Sequence, residues 1–140
     1  MRYWVRSIVV AAAMLGLGGL FVAPALAADK TCQITRRGSR AESIKPGETL
    51  TCRGESGAAG NVTVTCRFDQ DSPTDAHSQI QFGSRNYKTV DGPKGGDILD
   101  FNAVKPYDFR GDTEQGHDYQ FIFKNVSDPK TPSVTVSCEY

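Results

Sequence analysis

Alternation between apolar and polar side chains, with a cysteine on the apolar face, most constrains how this chain can fold. In the segment NVTVTCRF, Val62, Val64, Cys66 and Phe68 lie on one face, whereas threonines and an arginine lie on the other. The segments TCQIT, TLTC and PSVTVSCEY repeat the pattern around the remaining cysteines, Cys32, Cys52 and Cys138. A period of two is typical of a half-buried β-strand, so each cysteine is predicted to face a core.

The four cysteines are predicted to form two disulfides. An even number of cysteines in a small exported domain is typical of a disulfide framework. The gaps of 20, 14 and 72 positions lack the close pairs of a zinc site. A buried thiol has a raised pKa and is a poor nucleophile, whereas its position suits a bridge across the core. Of three possible pairings we favour Cys32–Cys52 with Cys66–Cys138, because closing the longer loop restricts the unfolded chain most.

The rest of the chain continues in short alternating segments separated by turns rich in Gly, Pro, Asp and Ser. This pattern predicts an all-β fold, an antiparallel β-sandwich of seven to eight short strands, with a small barrel as runner-up. The architecture is expected to be immunoglobulin-like. The immunoglobulin family itself is not indicated, because the core tryptophan and the tyrosine two residues before a cysteine are both missing.

Residues 1–27 have the features of a secretory signal peptide. Arg2 and Arg6 precede an uncharged run, and Ala25-Leu26-Ala27 gives the small residues of a cleavage site. The predicted mature protein is a single domain, residues 28–140, secreted to the periplasm or the extracellular space of a bacterium. The residue directly after the cleavage site, Ala28, is not a cysteine, so no lipid anchor is expected on the new N-terminus.

Charge and aromatic content argue against several classes of partner. Loss of Arg2 and Arg6 leaves 14 basic against 16 acidic residues, a net charge of −2, which does not attract nucleic acid or an anionic membrane. The only tryptophan, Trp4, also lies in the signal peptide. We therefore predict a monomer without cofactor that binds an unknown protein or surface ligand. A lipid-binding cytolysin is a weaker alternative.

Residues able to catalyse a reaction are few. His117 lies near acidic residues that include Glu114, and His77 is the only other histidine of the mature chain. Two histidines can act as an acid–base pair, so the alternative function is a small secreted nuclease-like hydrolase that uses His117 with the nearby carboxylates. Both histidines are predicted to lie in polar loops, however, and this position argues against an enzyme. Acidic turns could supply oxygen ligands for calcium, but they lack its helix–loop–helix consensus and no metal site is predicted.

The favoured hypothesis is a binding protein of the inhibitor, adhesin or effector type that acts through its loops. The segments 91–97 and 109–118 are predicted to be such loops, and the second, together with Tyr107 just before it, offers Phe109, Arg110 and Asp112 as binding residues. Aromatic residues and arginine are enriched at binding hot spots. The opposing interpretation is that Tyr107 and Phe109 close the end of the core. Asn125-Val126-Ser127 also matches the N-glycosylation pattern.

Overall fold

The computed structural model describes residues 29–36, 38–55, 62–88, 92–113 and 116–140, so the predicted signal peptide lies outside the described residues. Within these ranges the chain forms ten strands and no helix, which confirms the all-β prediction. The strands are β1 (Asp29–Gln33), β2 (Glu42–Ile44), β3 (Thr49–Glu55), β4 (Thr63–Gln70), β5 (Ser78–Arg85), β6 (Tyr87–Lys88), β7 (Ile98–Phe101), β8 (Tyr107–Thr113), β9 (Asp118–Asn125) and β10 (Val134–Glu139).

The strands form two five-stranded sheets, as the predicted sandwich requires. The first sheet has the order β1-β3-β9-β5-β7 and the second has the order β2-β10-β4-β8-β6. Neighbouring strands are antiparallel except for β1 and β3, which are parallel. One of the two sheets is curled into a half-barrel.

Aromatic side chains from the two sheets interlock in the core. Phe109 of the second sheet meets Phe82 of the first edge to face, with ring centroids 5.2 Å apart. Phe68 of the second sheet meets Phe123 of the first in the same way at 5.4 Å. Edge-to-face pairs at such distances add to the stabilisation that burial gives.

Both disulfides have the predicted pairing, Cys32–Cys52 and Cys66–Cys138. Their position differs from the prediction, because neither bridges the core between the sheets. Cys32 lies directly opposite Cys52 in the pairing of β1 with β3, and Cys66 lies opposite Cys138 in that of β4 with β10. The paired Cα atoms are only 4.4 and 4.1 Å apart, so each disulfide joins adjacent strands of one sheet.

Ten strands replace the seven to eight expected, and the two unexpected strands are β2 and β8. The prediction that 109–118 is a loop was wrong, since Tyr107–Thr113 is strand β8. The inward positions of β8 include Gly111, and glycine is a residue typical of turns. A Cβ at Gly111 would lie only 1.8 Å from the Tyr87 hydroxyl oxygen, so the ring of Tyr87 occupies that space. An aromatic ring covering a strand glycine restores the missing packing.

A buried amide connects the two sheets at one end of the sandwich. Asn125 at the end of β9 is fully buried, and its Nδ2 donates a hydrogen bond of 3.0 Å to the carbonyl oxygen of Ile44 in β2. Its Oδ1 accepts a bond of 3.1 Å from the Ser127 backbone N–H. The glycosylation pattern at Asn125 is therefore inaccessible in the folded protein.

Candidate binding cleft

The four predicted binding residues lie on strand β8 and face different sides of it. The side chain of Phe109 is 5% exposed and belongs to the core, and Tyr107 is half-buried with its ring centroid 6.0 Å from that of Phe68. Arg110 and Asp112 face outward, and Asp112 Oδ1 accepts a hydrogen bond of 2.8 Å from Thr63 Oγ1. The structure therefore does not bring the four together as one surface.

The structure separates the two histidines. His77 directly precedes the first residue of β5, and His117 directly precedes the first residue of β9. Because Gln120 near the start of β9 pairs with Arg85 at the end of β5, His117 lies near the opposite end of β5 from His77. Eight strand residues span roughly 25 Å, so the histidines cannot act as an acid–base pair on one substrate group. Glu114 lies outside the described residues.

His77 does contact a carboxylate. Its Nδ1 lies against Oδ1 of Asp100 in β7, and Gln79 Nε2 donates a 3.3 Å hydrogen bond to the other oxygen of Asp100. The hydrogen bond from His77 holds the pKa of Asp100 below its ordinary value, with a smaller contribution from Gln79. Both side chains are about half exposed, at 59% and 46%, and neither lines a described cleft.

A row of alternating amides and guanidinium groups crosses four strands on the outer face of the first sheet. Register places Gln33 of β1 opposite Arg53 of β3, Arg53 opposite Gln120 of β9, and Gln120 opposite Arg85 of β5. Both arginines are exposed. We call these four residues the arginine row. They line an open cleft of about 470 Å³ together with residues at the adjoining strand ends.

The arginine row is held in place by covalent and backbone contacts. The Cys32–Cys52 disulfide lies one position before the pair Gln33 and Arg53, and it fixes the register of β1 against β3. Register in turn sets the spacing of the row. A site whose geometry is fixed before binding does not lose that ordering entropy when a ligand binds.

Asn86 shapes the other side of the cleft. It has a φ of 56°, in the left-handed region that asparagine tolerates better than most residues, where the chain passes from β5 in the first sheet to β6 in the second. Its Nδ2 donates a 2.8 Å hydrogen bond to the Asp118 carbonyl oxygen. The contact ties the end of β5 to the start of β9, where Arg85 and Asp118 line the cleft.

Two carboxylates lie beside the arginine row. Glu55 and Asp118 are directly opposite each other in the pairing of β3 with β9, and both are exposed. Like charges directly opposite each other are destabilising in a sheet. Within the described part of the chain the salt bridges are Lys30–Glu48 and His77–Asp100, so neither carboxylate is paired with Arg53 or Arg85. The cleft therefore presents a basic row next to an acidic pair.

Tyr119 and Gly54 also line this cleft, from the inner side of their strands. They are direct cross-strand partners, and a Cβ at Gly54 would lie 2.2 Å from the Tyr119 ring. Tyr119 is 1% exposed, burial raises the pKa of its phenol, and its hydroxyl has no hydrogen-bond partner among the described residues. The cleft thus has polar, exposed walls, and its aromatic residue is buried.

No family model and no curated protein matches this chain. A solved structure to which it is similar is a β-glucosidase from Paenibacillus barengoltzii, with 14% sequence identity and a TM-score of 0.34. The similarity covers 84% of this chain and 12% of that enzyme, so the chain spans about an eighth of the enzyme's length.

The described residues include no helix of the length and apolar character needed to cross a membrane. They also include no group of three or more His, Cys, Asp or Glu side chains arranged to hold a metal ion.

Proposed function

We propose that this protein is a small secreted, disulfide-stabilised binding protein whose ligand contacts the cleft of the arginine row. The observation that carries the proposal is the row itself, in which Arg53 and Arg85 are exposed, flank Gln120 and share one cleft. Arginine forms directional, often bidentate hydrogen bonds with carboxylates, and this makes it suited to recognition. The proposed site is on a sheet face, in place of the loop expected from the sequence.

The two disulfides support the exported part of the proposal, because such bonds persist in oxidising compartments. Expression of the full chain in a bacterial host should release a protein that begins at Ala28 and is four hydrogen atoms lighter than its reduced form. Intact-mass measurement checks both. Recovery only of uncleaved or reduced chain would contradict secretion.

Affinity capture from extracellular fractions tests the binding function. The mature, oxidised protein is compared with the double variant Arg53→Gln/Arg85→Gln and with the control Arg67→Gln/Arg110→Gln, which removes two exposed arginines from the second sheet. The proposal expects a partner that the wild type and the control retain and that the Arg53/Arg85 variant loses at an unchanged melting temperature. Equal retention by all three proteins would rule out this cleft as the binding site.

A hydrolase is the second candidate, and the contact between His77 and Asp100 is the observation that favours it. A carboxylate can orient a histidine that acts as a general base. Loss of a positioned acid–base group costs about a hundredfold or more in rate. A loss of that size in His77→Ala, with hydrolytic activity first detected in the wild type, would favour the enzyme over the binding protein.

A further inference from the structure

The spacing of the arginine row matches the repeat of a polyproline II peptide. Arg53 and Arg85 are two strands apart, so their Cα atoms are separated by about 10 Å. A polyproline II segment has three residues per turn and rises about 3.1 Å per residue, so side chains three positions apart share a face at about 9 Å. In a β-strand, residues three positions apart face opposite sides.

The amides of the row are suited to a peptide backbone. Gln33 and Gln120 each offer a donor and an acceptor, the same pair of groups that every peptide unit presents. A polyproline II segment has no internal hydrogen bonds, so its carbonyl groups and its N–H groups outside proline are free to pair with these amides. Gln33, Arg53, Gln120 and Arg85 would then contact backbone and acidic side chains in alternation.

The acidic pair, Glu55 and Asp118, favours a peptide over a densely charged polyanion as the ligand of the cleft. Glu55 and Asp118 lie one row away from the arginines, about 7 Å along the strands, and would repel a sulfated glycan that covers the cleft. A peptide can place a basic side chain there and acidic ones at the arginines. Tyr119 is the only aromatic residue among the described residues that line the cleft, and it is buried, so it offers no exposed face on which a sugar could stack.

We propose that the ligand is a polyproline II segment of a partner protein with two acidic residues three positions apart and a flanking basic residue. This inference rests on the proposed function, since it names the class of ligand for the same cleft. The acidic side chains pair with Arg53 and Arg85, and the basic one pairs with Glu55 and Asp118.

Synthetic peptides test the inference by amide NMR titration of the mature, oxidised chain. One proline-rich peptide has glutamates three positions apart and a lysine, and a second has the same composition with the glutamates adjacent. The first should bind about tenfold more tightly, the size of one well-formed charge-assisted pair. Replacing the first glutamate of that peptide by glutamine, or Arg53 by glutamine, should each lower the affinity about tenfold. The two changes combined should cause no further loss of affinity. Arg67→Gln, on the second sheet, is the control and should leave the affinity unchanged.

Each outcome supports or overturns the inference. Equal affinity for both peptides, no shift in the spectrum up to about 10 mM peptide, or an equal loss of affinity in Arg67→Gln overturns it. If a sulfated glycan such as heparin binds with dependence on Arg53 and Arg85 while the peptides do not, the peptide ligand is wrong and the binding cleft stands. If captured partners are indifferent to Arg53 and Arg85, the proposed function itself fails.

Discussion

At the scale of single residues, Gly111 shows how one small side chain allows a strand to pack. Its inward position on β8 is filled by Tyr87, whose hydroxyl oxygen and Cζ would lie 1.8 and 2.3 Å from an added Cβ. Gly111→Ala must therefore displace the ring, and we expect a loss of about 2 kcal/mol in the free energy of unfolding, as for other overpacked cores. Chemical denaturation measures it.

Gly95→Ala is the matched control for that substitution. Nothing lies within 4 Å of a Cβ at Gly95, and its φ is outside the left-handed region. Its effect should stay within about 0.5 kcal/mol, the range of surface substitutions. Similar losses in both variants would mean that Tyr87 does not occupy the space above Gly111.

The contact between His77 and Asp100 predicts a pH-dependent contribution to stability that His77→Ala removes. Since the hydrogen bond from His77 lowers the pKa of Asp100, His77→Ala should raise that pKa toward 3.8, its ordinary value. A folded-state pKa below the unfolded value stabilises the protein above the unfolded pKa, and this contribution is lost as the pH falls through the folded pKa. The stability difference between wild type and variant should therefore disappear in acid. NMR titration of the carboxyl carbon measures the shift, and His117→Ala should leave Asp100 unchanged.

At the scale of strands, the two disulfides are expected to contribute unequally to stability. Cys32–Cys52 closes 20 residues and Cys66–Cys138 closes 72. In the loop-entropy model the longer loop restricts the unfolded chain more, by about 1 kcal/mol. The paired variant Cys66→Ala/Cys138→Ala should therefore unfold at lower denaturant than Cys32→Ala/Cys52→Ala. The reverse order would show that the folded state, and not loop length, sets the difference.

Alternation along the chain predicted strands such as β4 and β10 because every second side chain there is apolar and buried. It failed for β8, where Gly111 and Thr113 are buried without being apolar. The arginine row could not be predicted either. Alternation from Leu50 and Cys52 puts Arg53 on the outer face of its strand, but the alignment of Arg53 with Arg85 depends on both β3 and β5 pairing with β9. Sheet order of this kind depends on contacts between distant segments, which periodicity does not encode.

At the scale of the whole molecule, stability and binding are expected to depend on different disulfides. Cys32–Cys52 lies next to Gln33 and Arg53 in the first sheet, whereas Cys66–Cys138 lies in the second sheet, away from the cleft. Removing Cys32–Cys52 should weaken binding of the peptide with glutamates three positions apart, because β1 is an edge strand and the register of Gln33 against Arg53 is then no longer fixed by a covalent bond. Removing Cys66–Cys138 should lower stability more yet leave the affinity of the folded protein within about twofold, because register in the first sheet is unchanged. NMR titration well below both melting temperatures measures the two affinities. A larger loss of binding in Cys66→Ala/Cys138→Ala would place the ligand on the second sheet.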